Sequence, residues 1–213
     1  MGPLTNQDLF ILFVLAAGII VMAFFWGRRR NLSLIRAFGK ELENAIKPED
    51  QEYTWLGGEI GFRADYVTKG PFKKVEATVA LLPRQSLLYY PISKLTSGYD
   101  KLYVVFHPIK KIIREIHVIE KRYHRFRLSG LKEEPRFAKE EVRLGEKTLK
   151  VLSEDRRLSS DLVSWIRHLP NPALLKHIAL VPETGTVYLL MTPRLGLVQK
   201  YVEGLMRFIE VYI

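Results

Sequence analysis

From Leu9 to Trp26 the chain reads LFILFVLAAGIIVMAFFW, a run without a charge or a proline. At about 1.5 Å per residue, a helix of that length covers most of a hydrocarbon core about 30 Å thick. A cleaved signal peptide fits poorly, because it needs a basic leader, an apolar stretch of roughly 7–15 residues and a small-residue cleavage site. Here the first eight residues hold no Lys or Arg, and WGRRR follows the apolar run. A buried core helix fits poorly too, since a polar stripe is expected there and none exists. The run therefore predicts an uncleaved anchor over residues 9–27, with residues 1–8 as an external N-terminus.

Charge sets the expected orientation. Asp8 is the only charged side chain before the span, whereas Arg28, Arg29, Arg30, Arg36 and Lys40 follow it with no acid among them. The positive-inside rule then puts the N-terminus outside and everything after Gly27 in the cytoplasm. These five side chains are the candidate membrane-surface residues, each attracted to anionic headgroups by about 1 kcal/mol. No later stretch stays apolar long enough to cross again.

Residues 28–50 read as a basic juxtamembrane amphipathic helix, with Ile35, Phe38, Leu42, Ala45 and Ile46 at helical spacing. It could lie on the bilayer or pack on the following domain, and packing is the more ordinary outcome. Residues 51–213 read as a cytoplasmic α+β domain, helices on a mainly antiparallel sheet, with strand, strand, helix, strand, helix recurring loosely in two related halves. Strands are expected over Tyr53–Val67, kinked at its glycines, and over Val75–Leu82 and Leu102–Phe106. A helix is expected over Pro83–Ser97, divided by Pro91. In the second half, strand pairs are expected around Gly145 and Pro182–Gly185, and helices over Ser159–Leu169 and Arg194–Tyr212.

The segment from Pro108 to about Arg127 reads as a long helix, with Ile109, Ile112, Ile113, Ile116, Ile119, Tyr123 and Phe126 on one stripe. On that helix Lys110, Arg114, His117, Lys121 and Arg125 share another face, widened by Lys111 and Arg122. A charged helix face is ordinarily mere solvation. Acids are scarce on this one, however, so Lys110, Lys111, Arg114, Lys121, Arg122 and Arg125 are candidate contacts for RNA phosphates. A formal charge of +10 favours such a polyanionic partner.

Catalytic signals are scarce. The absence of Cys excludes disulfides, Cys-ligated zinc and a thiol nucleophile, and the five His form no HExxH or HxH pair. Neither GxSxG, Walker A nor a kinase set occurs. Asp65, Asp100, Asp155 and Asp161 are scattered and read as turn or cap residues. The expectation is a protein without enzymatic activity, metal, cofactor or small-molecule substrate.

The order of parts resembles the calumin-like, coiled-coil-domain-containing subunits of the PAT complex (protein associated with the translocon). FFWGRRRNLSLIRAFGKELE is similar to their junction of span and first cytosolic helix. VEATVALLPRQSLLYYPISKLTSGYDKLYVVF, VVFHPIKKIIREIHVIEKRYHRF and LKVLSEDRRLSSDLVSWI resemble later segments of the same family. The long acidic lumenal region is missing, so calcium binding is not implied, and so is the C-terminal basic coiled coil. A minimal, cysteine-free version of this kind resembles an archaeal one. The resemblance implies a non-enzymatic accessory of membrane-protein insertion, contacting the Sec translocon, ribosomal RNA, the membrane and a small membrane-protein partner. It implies the cell membrane for an archaeal chain and the endoplasmic reticulum for a eukaryotic one. The competing expectation is a membrane-anchored module for anionic lipid or another polyanion, unrelated to translation.

Overall fold

The structure is a computed structural model and describes residues 5–121, 123, 137–145 and 147–212. One helix, α1 (Asn6–Ile46), carries both the apolar run and the basic segment after it without a break. Its 41 residues span roughly 60 Å at about 1.5 Å each. Thr5 caps it, accepting from the Asp8 amide while the Asp8 carboxylate accepts back from Thr5. Lys47 ends it in the left-handed conformation, at φ 51°. The first half, through Trp26, is long and apolar enough to cross a membrane, and none of it is buried. The second half buries Gly27, Asn31, Ile35, Phe38, Gly39, Leu42, Ala45 and Ile46, a stripe built on three- and four-residue steps.

Among the described residues, nine antiparallel strands form one sheet in the order β1-β2-β3-β4-β9-β8-β5-β7-β6. The first flank is a meander of β1 (Asp50–Leu56), β2 (Gly61–Val67), β3 (Phe72–Ala80) and β4 (Lys101–Pro108), with α2 (Tyr89–Thr96) between the last two. The second half supplies β5 (Ile116–Glu120), β6 (Ala138–Leu144), β7 (Lys147–Ser153), α3 (Arg156–Arg167), β8 (Leu175–Val181), β9 (Thr186–Met191) and α4 (Val198–Tyr212). Its strands do not follow chain order, because β5 lies between β8 and β7. The loosely repeated element order thus yields two differently connected flanks of one sheet.

Helices α1, α4 and α3 cover one face. α1 packs on α4 and on β2 and β3, while α3 packs on β6 and β7. Between α3 and α4, Trp165 and Phe208 meet at 6.1 Å, and Gly204 leaves room for the Trp165 indole. Strand periodicity feeds this layer: Phe62, Ala64 and Tyr66 on β2, Val75, Ala77 and Val79 on β3, and Leu102, Val104 and Phe106 on β4 all face it, fully buried.

Three expectations are corrected. Tyr53–Val67 is a hairpin, β1 and β2, turned at Gly57–Ile60 with Gly58 at φ 66°, and not one kinked strand. The helix expected over Pro83–Ser97 begins only at Tyr89, with Pro91 in its first turn, where amides lack helical partners anyway. α3 starts before Ser159, since the Asp155 carboxylate accepts from Arg157 and Leu158 at 2.8 and 3.2 Å. Those amide bonds hold the Asp155 carboxyl below its ordinary pKa.

The largest correction concerns Pro108–Arg127. Pro108 ends β4, residues 109–115 are irregular, and Ile116–Glu120 is the strand β5, buried at all five positions. Hydrogen-bonded to β8 on one edge and β7 on the other, β5 is a central strand buried on both faces and shows no alternation. A run apolar on both faces can imitate a helical stripe.

Candidate membrane-surface site

The basic helix face does not exist as a unit. Lys110 and Lys111 are exposed on the irregular segment, and Arg114 stands 3.9 Å from Asp155. His117 is buried in the sheet, and Lys121 pairs with Glu141 at 2.8 Å. Arg122 and Arg125 lie outside the described residues. Ile112 and Ile116 are buried as the stripe requires, but from a loop and a strand.

Four of the five basic residues after the apolar run do share a surface. Arg28, Arg29, Arg36 and Lys40 line a groove with Phe25, Leu32, Ser33 and Ala37, along the side of α1 turned away from the sheet. Arg30 instead lies over the Trp26 ring at 5.6 Å. Arg28 donates to Glu59 at 2.9 Å, whereas among the described residues no carboxylate pairs with Arg29, Arg36 or Lys40. Positive charge therefore continues down α1 for about four turns beyond Trp26.

Behind that groove, α1 is keyed to the domain. Gly27 meets the backbone of Arg84 and Gln85 so closely that a Cβ would stand 2.1 Å from the Arg84 carbonyl oxygen. One turn on, Asn31 is fully buried. Its Nδ2 donates to the carbonyls of Glu59 and Leu82 at 3.1 and 3.0 Å, and to the Gln85 Oε1 at 3.2 Å. The Asn31 Oδ1 accepts from Arg84 Nη1 at 3.0 Å. Arg84 is held in turn by Asp100, through Nη1 at 3.0 Å and Nη2 at 2.6 Å, and Asp100 also accepts from the Leu82 amide. Asp100 is thus half of a bidentate ion pair and more than a turn former. Asp65 pairs with Lys74 at 2.8 Å, and Asp161 accepts from the Tyr212 hydroxyl.

Further down α1, Glu43 accepts from the Tyr53 hydroxyl at 2.6 Å, and Tyr53 lies 3.1 Å from the Tyr66 hydroxyl. Burial and the Glu43 carboxylate push the Tyr53 phenol up to about 12. Glu41 reaches the amides of Gly196 and Gln199 at the start of α4. Every turn of the docked half is therefore fastened, by packing or by hydrogen bonds.

Two buried polar clusters lay beyond sequence reasoning. His117 Nδ1 is 3.4 Å from His177 Nε2, and its other nitrogen is 2.9 Å from Glu115, with Phe137 edge-on to the ring. Glu120 takes both Lys176 and Lys147, and burial holds the Lys176 ammonium below its ordinary pKa. Partners some sixty positions apart in the chain leave no local signal. Among the described residues, no three His, Asp or Glu gather as metal ligands.

No known family's sequence model matches the chain, and comparison with curated proteins finds no match either.

Proposed function

We propose that this chain is a single-pass, non-enzymatic accessory of membrane-protein insertion, with its N-terminus outside and its domain beside the cytoplasmic mouth of the Sec translocon. The observation that supports it most is the keyed junction. Two segments that carry the resemblance to the calumin-like PAT subunits, around Gly27–Asn31 and Arg84–Asp100, fold into one buried contact. A domain so fastened has no slack: it stays against the bilayer, which suits a bracket for a translocon better than a tethered catalyst reaching for substrates. Ribosomal contact belongs to the same proposal, carried by the exposed Lys110, Lys111 and Arg114.

Affinity purification of the full chain in mild detergent tests this reading. Enrichment of Sec and ribosomal proteins, with ribosomes lost as salt rises, is the expected result. Purification free of both sinks it. Protease treatment of right-side-out vesicles tests orientation, and digestion of the domain from outside refutes it.

A second reading, an anionic-lipid module, draws on the α1 groove. Arg29, Arg36 and Lys40 lack carboxylate partners among the described residues and begin where the apolar run stops. It is tested by the lipid retained through purification. Loss of anionic lipid on changing these three residues to Gln, with Sec proteins absent in both preparations, favours it over the translocon reading.

A further inference from the structure

We propose that α2 and the turn before it form a second membrane contact, with Leu87, Leu88, Tyr89, Ile92 and Leu95 seated in the headgroup–acyl boundary beside the anchor. The proposal rests on reading Leu9–Trp26 as a span, and on nothing about translocons or ribosomes.

The helix is anomalous inside the protein. It has eight residues and buries none of them. Leu88 is 80% exposed, Ile92 56% and Leu95 88%, and their spacing sets them on one face, with Tyr89, 67% exposed, alongside. An eight-residue helix is far too short to persist in water on propensity alone, and most helices gain their stability by burying an apolar face. Here the sheet and the other helices leave that face open.

Position identifies the occupant. Gln85 N comes within 2.6 Å of where a Gly27 Cβ would lie, and Gly27 directly follows the apolar run. Leu88 is three residues beyond Gln85, so its Cα lies within roughly 11 Å of that contact even on a fully extended chain. The interfacial zone on each side of a bilayer is about 5–7 Å deep, and the ring of Tyr89 is of the kind that settles there. Charge agrees with this placement. Lys94 flanks the apolar face with its ammonium 5.9 Å from the Tyr90 ring, and Arg28, Arg29 and Arg30 directly follow Gly27 on α1. An apolar face rimmed by cations suits a helix lying in an anionic membrane surface. It suits a second copy of the chain less well, since the same cations would then face each other.

The chain has no Cys, so single cysteines can carry an environment-sensitive fluorophore without background labelling. The full chain, labelled at Leu88→Cys or Leu95→Cys, is reconstituted into vesicles of phosphatidylcholine and phosphatidylglycerol, with and without brominated acyl chains. Phe13→Cys marks the span, and Thr184→Cys, in the β8–β9 turn at the other end of the strands, marks the aqueous phase. The expected result is blue-shifted emission at 88 and 95, quenched by bromine as Phe13→Cys is, while Thr184→Cys is quenched only by aqueous iodide. Labels at 88 and 95 that respond to iodide and not to bromine overturn the proposal. Labels shielded from both, with shielding that fades as protein is diluted in lipid, overturn it in favour of a second copy. If Phe13→Cys itself escapes bromine, the span reading fails first and the proposal falls with it. Because folding of α2 is not presumed by the label, circular dichroism of each variant against the unlabelled chain confirms that the domain is intact.

Discussion

The docked half of α1 and the short helix α2 are both amphipathic and both basic at their flanks, and the turn leading into α2 touches α1 where the Arg84 and Gln85 backbone meets Gly27. One buries a full stripe, from Gly27 to Ile46; the other buries nothing. The contrast shows that amphipathicity states only that a face needs cover. What provides the cover depends on where the fold delivers that face: α1 is laid across β2 and β3, whereas α2 leaves its apolar side chains exposed.

Substitutions can sharpen this contrast, and the largest effect is expected at Gly27. Gly27→Val must displace the Arg84 backbone, so thermal unfolding of the detergent-solubilised protein should show a loss above about 4 kcal/mol. Gly18→Val, in the same helix with nothing within 4 Å of its Cβ position, should leave domain unfolding unchanged. Comparable losses at both sites would mean that the close approach to the Arg84 backbone is not what makes Gly27 necessary.

Next in size, Phe38→Ala should cost about 3–5 kcal/mol, because its ring is 1% exposed in the core between α1 and the sheet. Asn31→Ala should cost about 1–3 kcal/mol, by leaving the half-buried Glu59 carbonyl and one Arg84 donor without the Asn31 amide. Against these, Leu88→Ser with Leu95→Ser should change detergent stability by no more than about 0.5 kcal/mol. A loss like that of Phe38→Ala would erase the distinction between the two helices.

The smallest expected effect is a dependence on alkaline pH. The Tyr53 phenol ionises near 10.0 when unfolded and only near 12 in the fold. Between those values the unfolded chain binds fewer protons than the native one, so the Tyr53 contribution to stability is full below pH 10.0 and is lost toward pH 12, while Tyr66, Tyr188 and Tyr201, whose phenols burial also raises, add to the same alkaline decline. Tyr53→Phe should flatten that part of the melting-temperature profile. An unchanged slope would place the alkaline loss elsewhere than at the Glu43–Tyr53 contact.

Several features were legible because their determinants are local. The apolar run sets the candidate span by its own length, and the spacing of Ile35, Phe38, Leu42 and Ile46 marks the face α1 buries. Turn residues at Gly145 and Pro182–Gly185 place the β6–β7 and β8–β9 hairpins, and alternation places β3 and β4. The basic residues Arg28, Arg29, Arg36 and Lys40 could be seen to share a region, since a continuous helix keeps them together.

Tertiary structure alone decided the rest. Ile116–Glu120 carries a pattern compatible with either period, and it became a strand because β7 and β8 flank it. The ion pair of Arg84 with Asp100, the burial of Asn31 among groups more than twenty-five positions away, and the pairing of His117 with His177 depend on strand order. Strand order is settled by which long-range pairings together bury the most apolar surface, a sum over the whole chain that no local stretch records.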